Sequence, residues 1–191
     1  MKSLLLLGLM LCLSITTMAQ NGSEKRTVQI LADSELTITG DTNINKFLCG
    51  FDTKRLERSK EITFTRDNNN IKFQNAILTL NNQGFDCGNR AINKDFHALL
   101  RTDEYPNISL EITELTVQNE TQALAKVKIT IAGKHKNYTL PVKIVDSPVD
   151  CFTGTLKLDI NDFGLKPPKK MFGLIVVKED IEINFNLTIK K

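Results

Sequence analysis

From Glu35 onward the chain alternates apolar and polar residues in short runs, the period-two signature of strands with one buried face. Leu36 and Ile38 alternate with Glu35, Thr37 and Thr39; after a turn at residues 40–43, Phe47, Cys49 and Phe51 make the next set. Ile62 and Phe64 mark a third strand. The polar cluster at 66–70 then suits a hairpin turn, because Asn and Asp tolerate positive φ. Ile71 and Phe73 are followed by Ala76, Leu78 and Leu80, so the phase slips and predicts a bulge near Gln74 and Asn75. The later runs are longer: Ile108, Leu110 and Ile112; Val127, Ile129 and Ile131; Tyr138, Leu140, Val142 and Ile144; Leu156, Leu158 and Ile160; Ile181, Ile183, Phe185, Leu187 and Ile189. Pro141 stands in the opposite phase, which predicts an edge or a bulge there.

One stretch breaks the pattern. Across residues 89–102, Ile92, Phe96, Leu99 and Leu100 form an apolar stripe at helical spacing, with Asn89 as a cap and Pro106 beyond the end. The expected fold is therefore mainly β: an antiparallel barrel of about eight strands with one amphipathic helix, lying over the mouth or wall of the barrel. Alternation that stays one-sided over so many strands favours a barrel over a sandwich. A ring of that size is filled by side chains or holds one small ligand.

Composition narrows the class. With 191 residues, 41% hydrophobic and 25% charged, the chain suits one domain with a real core. A net charge of +3 without a basic stripe excludes a nucleic-acid partner. Lys2, the apolar run 4–15 and the small residue Ala19 read as a signal peptide over 1–19, too short for a membrane span. Acylation at Cys12 is disfavoured because Leu11 precedes it. Residues 20–29 are expected to be a flexible leader and 30–191 the barrel domain. The mature protein is expected to be exported, to the periplasm or outside the cell.

Export bears on the cysteines, of which Cys49, Cys87 and Cys151 remain in the mature chain. An oxidising compartment allows a Cys49–Cys87 bridge, each cysteine preceding a glycine; three free or buried thiols is the other reading. No CxxC occurs and the only histidines are His97 and His135, so neither a metal nor a cofactor is expected. Neither histidine sits in a catalytic motif, and both read as surface residues. The acidic pairs Asp103–Glu104 and Glu179–Asp180 fall in turns, and no GxGxxG, P-loop or GxSxG is present, so no enzymatic role is expected. Residues 166–173, Lys-Pro-Pro-Lys-Lys-Met-Phe-Gly, form a basic, partly apolar loop that reads as a solvated connection or as a lip touching a membrane surface.

Five segments together resemble the YceI-like domain: residues 34–40, 62–67, a helix ending at 103–106, 127–134 and 158–164. The segment 85–96 is similar to the version found in Bacteroidota, while Phe47-Leu48-Cys49 stands where an early histidine is common. The resemblance spans residues 30–189. It implies an extended lipocalin-like barrel that holds a long apolar lipid, a polyisoprenoid or isoprenoid quinone, for storage or transport. The lining is then expected from Leu36, Ile38, Phe64, Phe73, Leu110, Ile112, Val127, Ile129, Leu140, Val142, Leu156, Leu158, Ile183 and Phe185. Phe96, Leu99 and Leu100 would form a helix gate. The alternative is a structural or interaction barrel filled by its own side chains. The sequence sets no oligomeric state.

Overall fold

The computed structural model describes residues 22–147, 149–167, 169–170 and 174–190; the signal peptide expected over 1–19 lies outside them. Among the described residues twelve strands and one α-helix follow each other: β1 (Glu24–Ile30), β2 (Glu35–Thr42), β3 (Lys46–Phe51), β4 (Ser59–Asp67), β5 (Asn70–Asn81), β6 (Phe85–Asp86), α1 (Arg90–Leu99), β7 (Asn107–Asn119), β8 (Gln122–Ile131), β9 (Lys134–Ser147), β10 (Val149–Asp159), β11 (Lys169–Lys170) and β12 (Ile175–Lys190). Pairing is antiparallel in the order β1-β4-β5-β7-β8-β9-β10-β12, and β12 returns to β1. Eight strands thus close a ring.

Two consecutive strands share one edge of β12. Ile30 pairs with Ile189, Leu31 N–H donates to the Thr188 carbonyl, and Glu35 pairs with Asn186. Residues 24–42 therefore run along β12 as one strand kinked at 31–34, where Ser34 Oγ accepts from Thr188 N–H at 3.0 Å. Beyond the kink β2 leaves the ring with β3 and β6 as an added flap. The leader expected over 20–29 is thus a strand from Glu24. Its run Glu-Lys-Arg-Thr carries no apolar alternation because those residues lie exposed at the open edge of β4.

The slip foreseen at Gln74 and Asn75 is present: register shifts between Lys72 and Ala76. Asn75 fills the gap, its Oδ1 accepting from Thr63 N–H at 2.6 Å and its Nδ2 donating to the Glu61 carbonyl. Pro141 meets the first of its two expectations, a local edge of β9. It stands opposite Leu124 in an unbroken ladder to β8, just before the ladder to β10 begins at Val142. The β8–β9 hairpin turns on Ala132 and Gly133, both with positive φ (47° and 77°), the backbone of a two-residue turn whose twist matches the strands.

The strand ends define two ends of the ring. One carries the hairpin turns β4–β5, β7–β8 and β9–β10. The other carries the β8–β9 turn, the C-terminal ends of β2, β5 and β10, and α1.

Candidate functional site

Ladder register assigns each expected lining residue to one face. Leu36 pairs with Phe185, Ile38 and Leu156 with Ile183, Leu110 with Ile129, Ile112 with Val127, and Phe64 with Phe73. Leu140 and Val142 share this face through Ala125, Ala123 and Gly154, and Leu158 lies two residues beyond Leu156. It is the inner face of the ring, because the opposite parity carries the ion pairs Lys126–Glu114, Lys128–Glu111 and Lys157–Glu182.

Packing along that face is uneven. Leu36, Ile38, Phe64, Val127, Ile129, Leu140, Val142, Leu156, Leu158 and Ile183 are buried, Ile129 completely at 0% exposure. Phe73, Leu110, Ile112 and Phe185 are half-buried, as are the inward neighbours Ala76 and Leu78. The wall from β8 round to β2 is packed shut except at Phe185, whereas β5 and β7 present inward apolar groups with surface to spare. Phe64 and Phe73 stand apart from the main cluster as a pair with centroids 6.1 Å apart, and Arg26 lies 5.7 Å over the Phe64 ring. Gly154 is one place where the packed wall is tight. A Cβ there would sit 2.5 Å from the Phe185 ring and 3.1 Å from the Pro141 carbonyl.

The α1 end is closed. Asn89 Oδ1 accepts from Ala91 N–H at 2.8 Å and starts the helix. Phe96 and Leu100 are buried and Leu99 half-buried. Phe96 packs on Phe85 (centroids 5.2 Å) and Phe85 on Phe51 (4.9 Å). Cys49 and Cys87 are joined by a disulfide, so this aromatic file is tied covalently to β3, and among the described residues Cys151 is the free thiol. Asn93 locks the approach to the helix: its Oδ1 accepts from Cys87 N–H at 2.6 Å and its Nδ2 donates to Asp86 Oδ1 at 2.9 Å. That donation, with the Gly88 N–H, holds the Asp86 carboxyl below its usual range. His97, expected at the surface, is instead half-buried with Nε2 3.1 Å from the Asn82 carbonyl.

Sequence reasoning passed over the other half of this plug. Ile160 and Phe163, on a single 3₁₀ turn that ends at Gly164 with φ 67°, and Leu165 just after it are buried. Asp162 on that turn accepts from Lys136 Nζ (2.7 Å) and from Tyr138 OH (3.2 Å). The Lys136 bond, foremost, lowers the Asp162 pKa. Burial, and then Asp162, push the Tyr138 hydroxyl up to about 12. The signal was the isolated Phe-Gly after alternating Leu158 and Ile160, which marks a turn carrying one apolar anchor.

A hollow of about 470 Å³ on the outer wall is lined in part by Glu35, Thr37, Lys143, Thr155 and Asn184, groups suited to water. Among the described residues no cluster of three or more His, Cys, Asp or Glu could hold a metal ion, and no helix is long and apolar enough to cross a membrane.

A closed antiparallel ring with an apolar inner face and a helix across one end defines a lipocalin-like barrel. More narrowly, residues 27–189 match the YceI-like domain, and the chain belongs to that family. Solved structures similar to it include Burkholderia cenocepacia BcnA (16% identity, TM-score 0.62, covering 84% of this chain and 98% of that one). A polyisoprenoid binding domain from Saccharophagus degradans, implicated in plant cell wall breakdown, is similar at 9% identity and TM-score 0.61 (85% and 97% covered). The Campylobacter jejuni YCEI protein follows at 13% and 0.54 (91% and 86%). No curated protein matches the chain significantly.

Proposed function

We propose that this protein is an exported binding protein that holds one long apolar lipid, a polyisoprenoid or an isoprenoid quinone, inside the ring for storage or transport. The observation that carries the reading is the half-buried inward set on β5 and β7: Ala76, Leu78, Leu110 and Ile112 lie mid-strand on an apolar inner face, and although the last three pack against the core cluster, all four keep surface uncovered. A hydrocarbon chain laid against them gains about 0.8 kcal/mol per buried methylene, so a dozen methylenes bind without a polar anchor. The Saccharophagus relative, by its description a polyisoprenoid binding domain, supports the same cargo class. Binding rather than catalysis is the role proposed, outside the cytoplasm.

A second reading has its own support. Ile129, Leu36 and Leu158 leave almost no surface uncovered, as in a barrel filled by its own side chains. Native mass spectrometry of residues 20–191, purified without detergent and offered isoprenoid quinone, separates the two. A stoichiometric adduct that extracts as a prenyl lipid is expected; bare protein after quinone is offered would leave the filled barrel.

A further inference from the structure

At the α1 end of the ring the β2–β3 turn and the start of β12 carry apolar side chains into solvent. Ile44, in the β2–β3 turn, is 66% exposed; Leu174 and Val176, at the start of β12, are 69% and 40% exposed. Single exposed apolar residues need no explanation, but three gathered at one point do. They are gathered by Asn43. Its Nδ2 donates to the Leu174 carbonyl at 2.9 Å, its Oδ1 accepts from Val176 N–H at 2.9 Å, and its own N–H donates to the Val176 carbonyl at 3.1 Å. Thr42 Oγ1 fixes the turn itself, accepting from Ile44 and Asn45 N–H. The tips are thus held rigidly outward, without a partner in the core cluster.

In the chain around them lysines outnumber acids, although Glu179 and Asp180 are exposed as well. Lys46 and Lys166 are exposed, and Lys169 and Lys170 form β11, paired with Val176 and Ile175. Asp41 beside the tip is neutralised by Lys178 at 2.8 Å. Exposed apolar side chains with exposed lysines such as Lys46 and Lys166 nearby in the chain match an anionic bilayer surface: the apolar groups enter the headgroup layer and the lysines meet its phosphates. A second copy of the chain fits less well, because three side chains fall far short of the roughly 1,000 Å² that a stable protein interface buries.

We propose that Ile44, Leu174 and Val176 are the surface by which this protein docks on anionic membranes, with the α1 end facing the bilayer. The inference gains its purpose from the carrier reading, since it sets the gate helix beside the membrane that donates or accepts the lipid. Its test does not depend on cargo. The mature protein is floated with vesicles of phosphatidylcholine alone or with one-quarter phosphatidylglycerol. Val145→Asp, an exposed apolar site at the opposite end of the ring, serves as control, and disulfide content and thermal unfolding verify folding. Wild type and Val145→Asp are expected to bind only the anionic vesicles, and Ile44→Asp/Leu174→Asp to bind about tenfold or more weakly. Failure of wild type to float, equal binding by the double variant, or a dimer that the double variant abolishes would each overturn the proposal. Native mass spectra of the same samples report lipid loading separately, so loss of docking and loss of cargo are told apart.

Discussion

Three residues show how much this fold rests on single positions. Gly154 is required because Phe185 of β12 folds across it, and the Pro141 carbonyl closes the other side. Gly154→Ala must push an aromatic ring out of the packed wall, at about 1–3 kcal/mol. Urea unfolding should show that loss, and an unchanged midpoint would mean that Phe185 has room to move. Tyr138 makes a pH prediction. Its hydroxyl is pushed up from 10.0 to about 12 by burial, with Asp162 adding to it. The unfolded chain therefore loses this proton first, and the stability it confers is complete below pH 10 and declines as pH rises toward 12. Tyr138→Phe should show less alkaline loss than wild type over that window in thermal unfolding. Asp162 has the opposite sign. Its depressed pKa contributes stability above the ordinary carboxylate range that is lost in acid, so Asp162→Asn should flatten the acid limb.

At the scale of elements, strands with one wet and one dry face were legible because burial and period coincide, and α1 was legible because Asn89, its stripe and Pro106 agree. β1 was not, since its first residues are exposed and only Val28 and Ile30 are half-buried. The two-residue strands β6 and β11 are too short to carry a period. The helix deserved its place as the exceptional element, but its hold on the barrel comes from Phe51 and Phe85 and from the Cys49–Cys87 bond, whose pairing spacing alone left open. Across the 38-residue separation, chain entropy assigns that bond about 4 kcal/mol. Cys49→Ala/Cys87→Ala should lose stability on that order in denaturant unfolding and should release bound quinone faster, because the N-terminal end of α1 is then free to lift. Unchanged release with the expected stability loss would remove α1 as the gate.

For the whole molecule, register decided what periodicity could only propose. Alternation marked which residues share a face, yet it could not tell an open interior from a filled one, because both require the same apolar parity. The difference lies in side-chain volume summed around the ring. Ala76, Ala123 and Ala125 all point inward, but Ala123 and Ala125 are covered by the packed wall, whereas Ala76 lies opposite half-buried Ile112. A large side chain at position 76 therefore separates the two states of the interior. With space along β5 and β7, Ala76→Phe fills it: the fold keeps its urea midpoint and quinone loading in the native mass spectrum falls. With a filled interior the same ring overpacks the core and costs about 1–3 kcal/mol or more. The carrier reading requires the first outcome. Destabilisation of that size in a chain that takes up no quinone would make the barrel a filled scaffold, with its exposed surface left as the place to look for function.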